Sequence, residues 1–148
     1  ALVHIGRAFK EALRLYPPAP VITRSPIEPD ELGGYEIPAG ATLILPIIAI
    51  QRDAQFFPEP MQFDPSRWTP EFEEQLPRFA FFPFGGGPRV CIGSHLAMME
   101  GVLILAELIR RFELSRIDDA PLDLLPSITL RPKKVIRLRL QPRSSLED

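Results

Sequence analysis

The 148-residue chain reads as a mixed α/β fold, mainly α, whose β-structure is confined to small sheets. Two stretches of helical length carry apolar residues at three- and four-residue spacing or around most of their circumference, one at the N-terminus and one after Gly93. Between and beyond them lie short β-prone runs, each cut off by glycine or proline. The 18 prolines far exceed an average usage of about 5% and imply much irregular chain. The length suits a single domain, able to bury roughly 70% of its unfolded surface.

Leu2, Ile5, Phe9, Leu13 and Tyr16 mark residues 1–16 as an amphipathic helix, and Pro17 and Pro18 stop it. Glu11 and Arg14 are neighbours on a face of that helix away from the apolar stripe. As a solvated pair they would contribute only about 0.2–0.5 kcal/mol. Residues 19–83 form a small sheet and an irregular meander. Val21 to Arg24, Tyr35 to Ile37 and Thr42 to Leu45 are its β-prone runs, with turns at Gly33-Gly34 and Pro38-Ala39-Gly40. A short helix falls near Ile47 to Gln51, followed by proline- and aromatic-rich chain with little periodicity.

A loop over 83–93 precedes a single helix over 94–111, about 27 Å long at 1.5 Å per residue. Ser94 suits its N-cap, and Arg110 and Arg111 suit its negative end. Apolar residues cover most of its circumference, which predicts a helix buried on several sides, with Met98 and Met99 as core fillers. A terminal hairpin spans 122–141. In it Val135, Arg137 and Arg139 alternate with Ile136, Leu138 and Leu140, the pattern of a half-exposed strand with its arginines in solvent.

The chemistry concentrates in the loop Phe84-Gly85-Gly86-Gly87-Pro88-Arg89-Val90-Cys91-Ile92-Gly93, which holds the single cysteine. A thiolate presented to iron must sit close to a flat macrocycle, shielded from water. Glycines allow backbone to approach such a surface and reach positive φ at little cost. Cys91 lies just before the long helix, whose positive end favours negative charge at the sulfur. Arg89, two residues away, would share a side with Cys91 in extended chain, and its fork suits a carboxylate. The alternative is a small buried hydrophobe in a glycine-rich turn.

Other chemistries are excluded. No Gly-Lys-Ser/Thr follows the glycines, a dinucleotide fingerprint would need glycine at Val90, and neither Gly-x-Ser-x-Gly nor Cys-x-x-Cys occurs. His4 and His95 are isolated and suit surface or helix-end positions. A net charge of −2 points neither to nucleic acid nor to an acidic membrane surface. One cysteine rules out an internal disulfide and suits a reducing, cytoplasmic compartment. Leu96 to Ile109, the most apolar stretch, falls short of the roughly 20 residues that span a bilayer.

The motif Phe-x-x-Gly-x-Arg-x-Cys-x-Gly resembles the heme-binding signature of the cytochrome P450 family at every fixed position. Glu11-x-x-Arg14 is similar to that family's second motif, in which the pair is buried with a further arginine, here Arg67. The resemblance runs from Ala1 to about Gln141 and covers the C-terminal part of the family fold, so the fold would be incomplete and the chain a fragment. Gln51, Ala54 and Ser66 depart from the family's commoner histidine, proline and glutamate.

The resemblance implies heme b, with Cys91 as axial thiolate to the iron and as the catalytic residue. Phe84 would cover the sulfur, with Pro83, Gly85, Gly93 and Ala97 also against the heme. Arg89 and Arg24 would meet the propionates, although Arg24 equally suits a solvent-facing strand residue. Glu11, Arg14 and Arg67 would form a supporting network. Ala19, Val21, Ile22 and Thr23, with Ile128 and Thr129, are candidates for an apolar substrate pocket. The implied activity is monooxygenation by the parent protein, inserting one oxygen atom from O2 into a small apolar molecule, with the fragment alone expected to be inactive. Electrons would come from a ferredoxin or a flavin reductase, and a membrane anchor on the parent protein stays open. The alternatives are a heme-thiolate peroxygenase or isomerase, an inactive truncated fragment, and a cofactor-free interaction module.

Overall fold

A computed structural model describes residues 2–118, 121–125 and 127–143. Helices dominate, and the strands form four separate two-stranded antiparallel sheets. The first helix, α1 (Leu2–Leu15), occupies the stretch expected to be helical and ends where Pro17 removes a backbone donor. Its apolar stripe is only partly covered, since Leu2 is 54% exposed. The deeply buried positions lie at its C-terminal end: Glu11, Leu13, Arg14 and Leu15.

The single small sheet expected after α1 is two. Strand β1 (Ile22–Arg24) pairs with β4 (Leu43–Leu45), placing Ile22 opposite Leu45 and Arg24 opposite Leu43. Between them β2 (Asp30–Leu32) and β3 (Tyr35–Ile37) form their own hairpin. Its two-residue turn is Gly33-Gly34, with φ of 60° and 83°, the left-handed geometry that matches strand twist. The acidic Asp30-Glu31 carries no β signal, so this strand is created by the turn and was not expected from composition.

A short α2 (Ile47–Ile50) follows, and then the meander, which holds the core. Phe57, Trp68 and Ala80 are buried together, with Phe56, Phe72, Leu76 and Phe81 packed around them. Trp68 stands 4.6 Å from Phe81 between ring centroids and edge-on to Phe72 at 6.1 Å. The meander therefore carries little periodicity yet packs tightly. Aromatic rings bury large area from irregular backbone, provided that the backbone polar groups find partners. The meander's own helix, α3 (Pro70–Gln75), is capped by Thr69, whose hydroxyl accepts from the Phe72 N–H at 3.2 Å.

The long helix α4 spans Ser94–Arg111. Gly93, not Ser94, occupies its N-cap, and no side chain caps it there. The helix crosses α1 where Gly101 faces Phe9. A Cβ on Gly101 would stand 2.2 Å from that ring, so any larger residue here requires the ring to move. The expectation of a buried helix is overturned: none of its residues is buried, and Leu96, Met99, Leu103, Ile104 and Ile109 are exposed. Met98 is half-buried and Met99 lies at 56% exposure, so the latter is not core filler. α1 packs against one side of α4, and Leu96, Met99, Leu103 and Ile104 stay more than half exposed.

The tail also differs from the single hairpin expected over 122–141. β6 (Leu124–Leu125) pairs with β7 (Arg131–Pro132), while β8 (Leu138–Pro142) pairs with β5 (Phe112–Arg116), which leaves α4 directly. Both faces of β8 are exposed, so the alternation over 135–140 does not mark a half-buried strand. No described helix is long and apolar enough to cross a membrane.

Candidate functional site: the cysteine loop and its support

Two positive-φ glycines shape the cysteine loop, Gly85 at 74° and Gly87 at 70°. The Gly85 N–H donates to the Phe82 carbonyl at 2.8 Å, and the Cys91 N–H donates to the Phe84 carbonyl at 3.0 Å, closing the loop across its base. Gly87–Arg89 is a 3-10 turn and not the extended chain that would put Arg89 beside Cys91. Extended geometry returns only at Val90. Arg89 is exposed at the rim of the loop.

Cys91 is free and exposed, which overturns the reading of a buried small hydrophobe. Its carbonyl accepts from the Ser94 N–H at 3.2 Å, and the Gly93 carbonyl accepts from Ala97 at 2.8 Å, so the loop runs straight into the first turn of α4. A Cβ on Gly93 would lie 3.9 Å from the Cys91 Sγ, an ordinary contact. The apolar residues on either side of Cys91 in the chain are exposed as well, Val90 at 50% and Ile92 at 102%. On the other side of the loop Pro83 is buried and Phe84 half-buried.

Phe79 holds the loop from beneath, and no sequence signal marks it. It is one of two non-glycine residues with positive φ among those described, at 68°. A bulky residue in that region is strained and persists only where its surroundings fix it. Its ring lies on Gly86, where a Cβ would come within 2.4 Å, and meets Phe82 edge-on at 6.0 Å.

Behind the loop sits a charged network. Glu11 and Arg14 are fully buried and share two hydrogen bonds, at 2.8 and 2.9 Å. Arg67 donates to the same carboxylate at 3.1 Å. The structure thus brings together the three residues singled out in the sequence and excludes the solvated pair. It adds Trp68, whose Nε1–H donates to Glu11 at 2.9 Å, and the Asp64 N–H at 3.0 Å. Arg14 also donates to the carbonyls of Gln51, Pro60 and Gln62, and Arg67 to that of Pro58. Irregular meander backbone is satisfied by α1 in this way, and no described buried side-chain polar atom lacks a partner. Burial pushes the Glu11 carboxyl up, but the bonds from Arg14, Asp64 and Trp68 and the Arg14 charge outweigh it and hold the group below its ordinary range.

Strand β1 reaches the loop. The Ile22 Cδ1 lies 3.8 Å from where a Gly85 Cβ would be. Arg24 is half-buried, its guanidinium donating to the Thr23 carbonyl at 2.8 Å. Val21 and Thr23 are exposed, and Ala19 is half-buried. The Leu130 N–H donates to the Pro18 carbonyl at 2.8 Å, so the segment with Ile128 and Thr129 adjoins the start of 19–23. Ile128 is 93% exposed, and the Thr129 hydroxyl accepts from Arg131 at 2.9 Å.

Residues 5–139 match the sequence model of the cytochrome P450 family. The chain is 38% identical over 141 residues to cyclooctatin synthase of Streptomyces melanosporofaciens, covering 95% of this chain and 29% of that protein. It is 37% identical over 144 residues to thromboxane-A synthase of Sus scrofa, covering 96% and 27% respectively. Among solved structures it superposes on the cytochrome P450DA heme domain with a TM-score of 0.87 at 34% identity, over 95% of this chain and 31% of that one. A cyanobacterial relative with retinoic acid bound gives a TM-score of 0.87 at 32% identity, over 95% and 32%. The chain belongs to the cytochrome P450 family, whose members are in general heme-thiolate monooxygenases. It spans less than a third of the length of these relatives.

Proposed function

We propose that Cys91 is the axial thiolate of a bound heme and that the protein is a monooxygenase acting on a small apolar substrate. The observation that carries this is an exposed thiol in a loop closed by two backbone hydrogen bonds, set in open apolar surface. The residues fit the group. One soft sulfur donor suits heme iron, and the glycine loop keeps side chains away from a flat ring. By helical spacing Leu96, Met99 and Leu103 share one face of α4, and all are at least half exposed, a surface that an apolar macrocycle would cover.

Bound there, heme supplies oxygen activation, with one atom of O2 going to the substrate. The chain's own residues hold and shield. Pro83, Phe84, Gly85, Gly93 and Ala97 border the sulfur side, and Phe84 limits water at the thiolate. Arg89, on the loop rim, and Arg24, on β1 beside the loop, are cations available to the propionates. Ala19, Val21, Ile22 and Thr23 with Ile128 and Thr129 would contribute one wall of the substrate site. Glu11, Arg14 and Arg67 fix the meander that carries the loop and touch no substrate. A ferredoxin or flavin reductase would deliver electrons.

The test is the absorption spectrum of the heme-loaded protein, reduced under carbon monoxide, beside that of Cys91→Ala. A red-shifted Soret band that disappears in the variant is expected. A band that survives unchanged in Cys91→Ala would overturn the assignment.

A further inference from the structure

Gln51 is fully buried, and its amide is the side-chain link between the end of α1 and the entrance of the cysteine loop. Its Nε2 donates to the carbonyls of Leu13 and Arg14, at 3.0 Å each. Its Oε1 accepts from the Phe82 N–H at 2.9 Å. Its own carbonyl takes a bond from Arg14 at 2.9 Å. Phe82 is the residue whose carbonyl accepts from Gly85, and Phe84, two residues on, accepts from Cys91. One side chain thus connects two carbonyls of the last turn of α1 to the backbone ladder that closes on the thiol.

We infer that Gln51 is a positioning residue for the Cys91 thiolate, acting through Phe82. The inference rests on the proposed heme ligation for its functional meaning. The site presents two acceptors and one donor to one short, uncharged side chain, and a primary amide satisfies all three. A carboxylate has no donor for the two carbonyls, and an aliphatic side chain leaves three buried groups unpaired. Sequence reasoning marks Gln51 only as a departure from the family pattern, because nothing local shows that residues 13, 14 and 82 converge on it.

The experiment uses the heme-loaded protein at its native length. Amide hydrogen exchange is followed at Phe82, Gly85 and Cys91, with Leu76, which donates to Phe72 in the aromatic core, as the reference. Gln51→Leu is expected to speed exchange at Phe82 about 10–100-fold, the loss of one buried hydrogen bond. Gly85 and Cys91 should follow while Leu76 changes far less. Gln51→His, which keeps one donor and one acceptor at neutral pH, should restore most of the Phe82 protection and guards against a variant that fails to fold. The thiolate Soret signal should fall in Gln51→Leu and recover in Gln51→His.

Equal acceleration at Leu76 and Phe82 would make Gln51 a general stabiliser and overturn the inference. So would a loosened loop with an unchanged Soret signal. If the unmutated protein shows no thiolate signal, the functional reading fails instead. The exchange pattern still decides whether Gln51 positions the loop.

Discussion

The meander side of the molecule and the α4 side are built on opposite terms. On the first, every charged group that is buried has partners: Glu11 alone accepts from Arg14, Arg67, Trp68 and the Asp64 backbone. On the second, the longest helix buries nothing completely and shows leucine, methionine and isoleucine to solvent. Charged pairs follow the same division. Glu11 is sealed, whereas Glu107 on α4 bonds Arg110 and Arg111 in the open, and its pKa falls to about 2 chiefly through the Arg110 hydrogen bond. The contrast teaches that irregular sequence can be self-sufficient while regular, strongly apolar sequence is not. The meander finds its partners within the chain, and α4 carries apolar surface that α1 leaves uncovered.

The sharpest way to break this comparison is Arg14→Ala. It leaves Glu11 buried without its main counter-charge and should destabilise by about 3–5 kcal/mol in a urea titration. Arg110→Ala, on the exposed pair, should leave the midpoint where it was. Comparable losses from both would show that the two regions do not differ in kind.

Acid supplies the same test without mutation. The folded pKa of Glu11 is depressed, so its contribution is complete above the ordinary glutamate value of about 4.3 and is lost as pH falls through the lower folded value. Stability measured from pH 6 to pH 2 should decline in that window. Glu11→Gln should flatten this part of the profile.

Smaller effects refine the picture. Trp68→Phe keeps an aromatic side chain but removes the bond to Glu11, a charge-assisted donor worth about 1.5–3 kcal/mol in a urea titration, along with part of the buried ring volume. Gly101→Ala drives a methyl into the Phe9 ring and should lower stability by about 1–3 kcal/mol, read by thermal unfolding. Least of all, Met99→Ser on the open face of α4 should change the stability of the heme-free protein by no more than about 0.5 kcal/mol. Its consequence should appear in heme retention, measured by transfer of heme to an acceptor protein. A large loss in the heme-free protein would mean that α4 is covered after all.

Much of this was legible in the residues. The end of α1 follows from Pro17, and Gly33-Gly34 marks a turn, because these are backbone properties of single residues, whereas residue type favours Ser94 for the N-cap that Gly93 occupies. The cysteine motif and the family were readable for a related reason: a loop whose function depends on its own glycines must write them locally. Glu11 and Arg14 were visible as neighbours for the same local reason.

Tertiary structure alone decided the rest. Whether Glu11 and Arg14 face water or a core depends on Trp68 and Asp64, more than fifty residues from Glu11. The roles of Gln51 and Phe79 depend on which carbonyls and glycines come to meet them. The exposure of α4 contradicts its own composition, since apolar periodicity states what a helix can bury and not whether a neighbour is there. Local backbone chemistry is written residue by residue, but burial and hydrogen-bond satisfaction are properties of pairs that only the folded chain brings together.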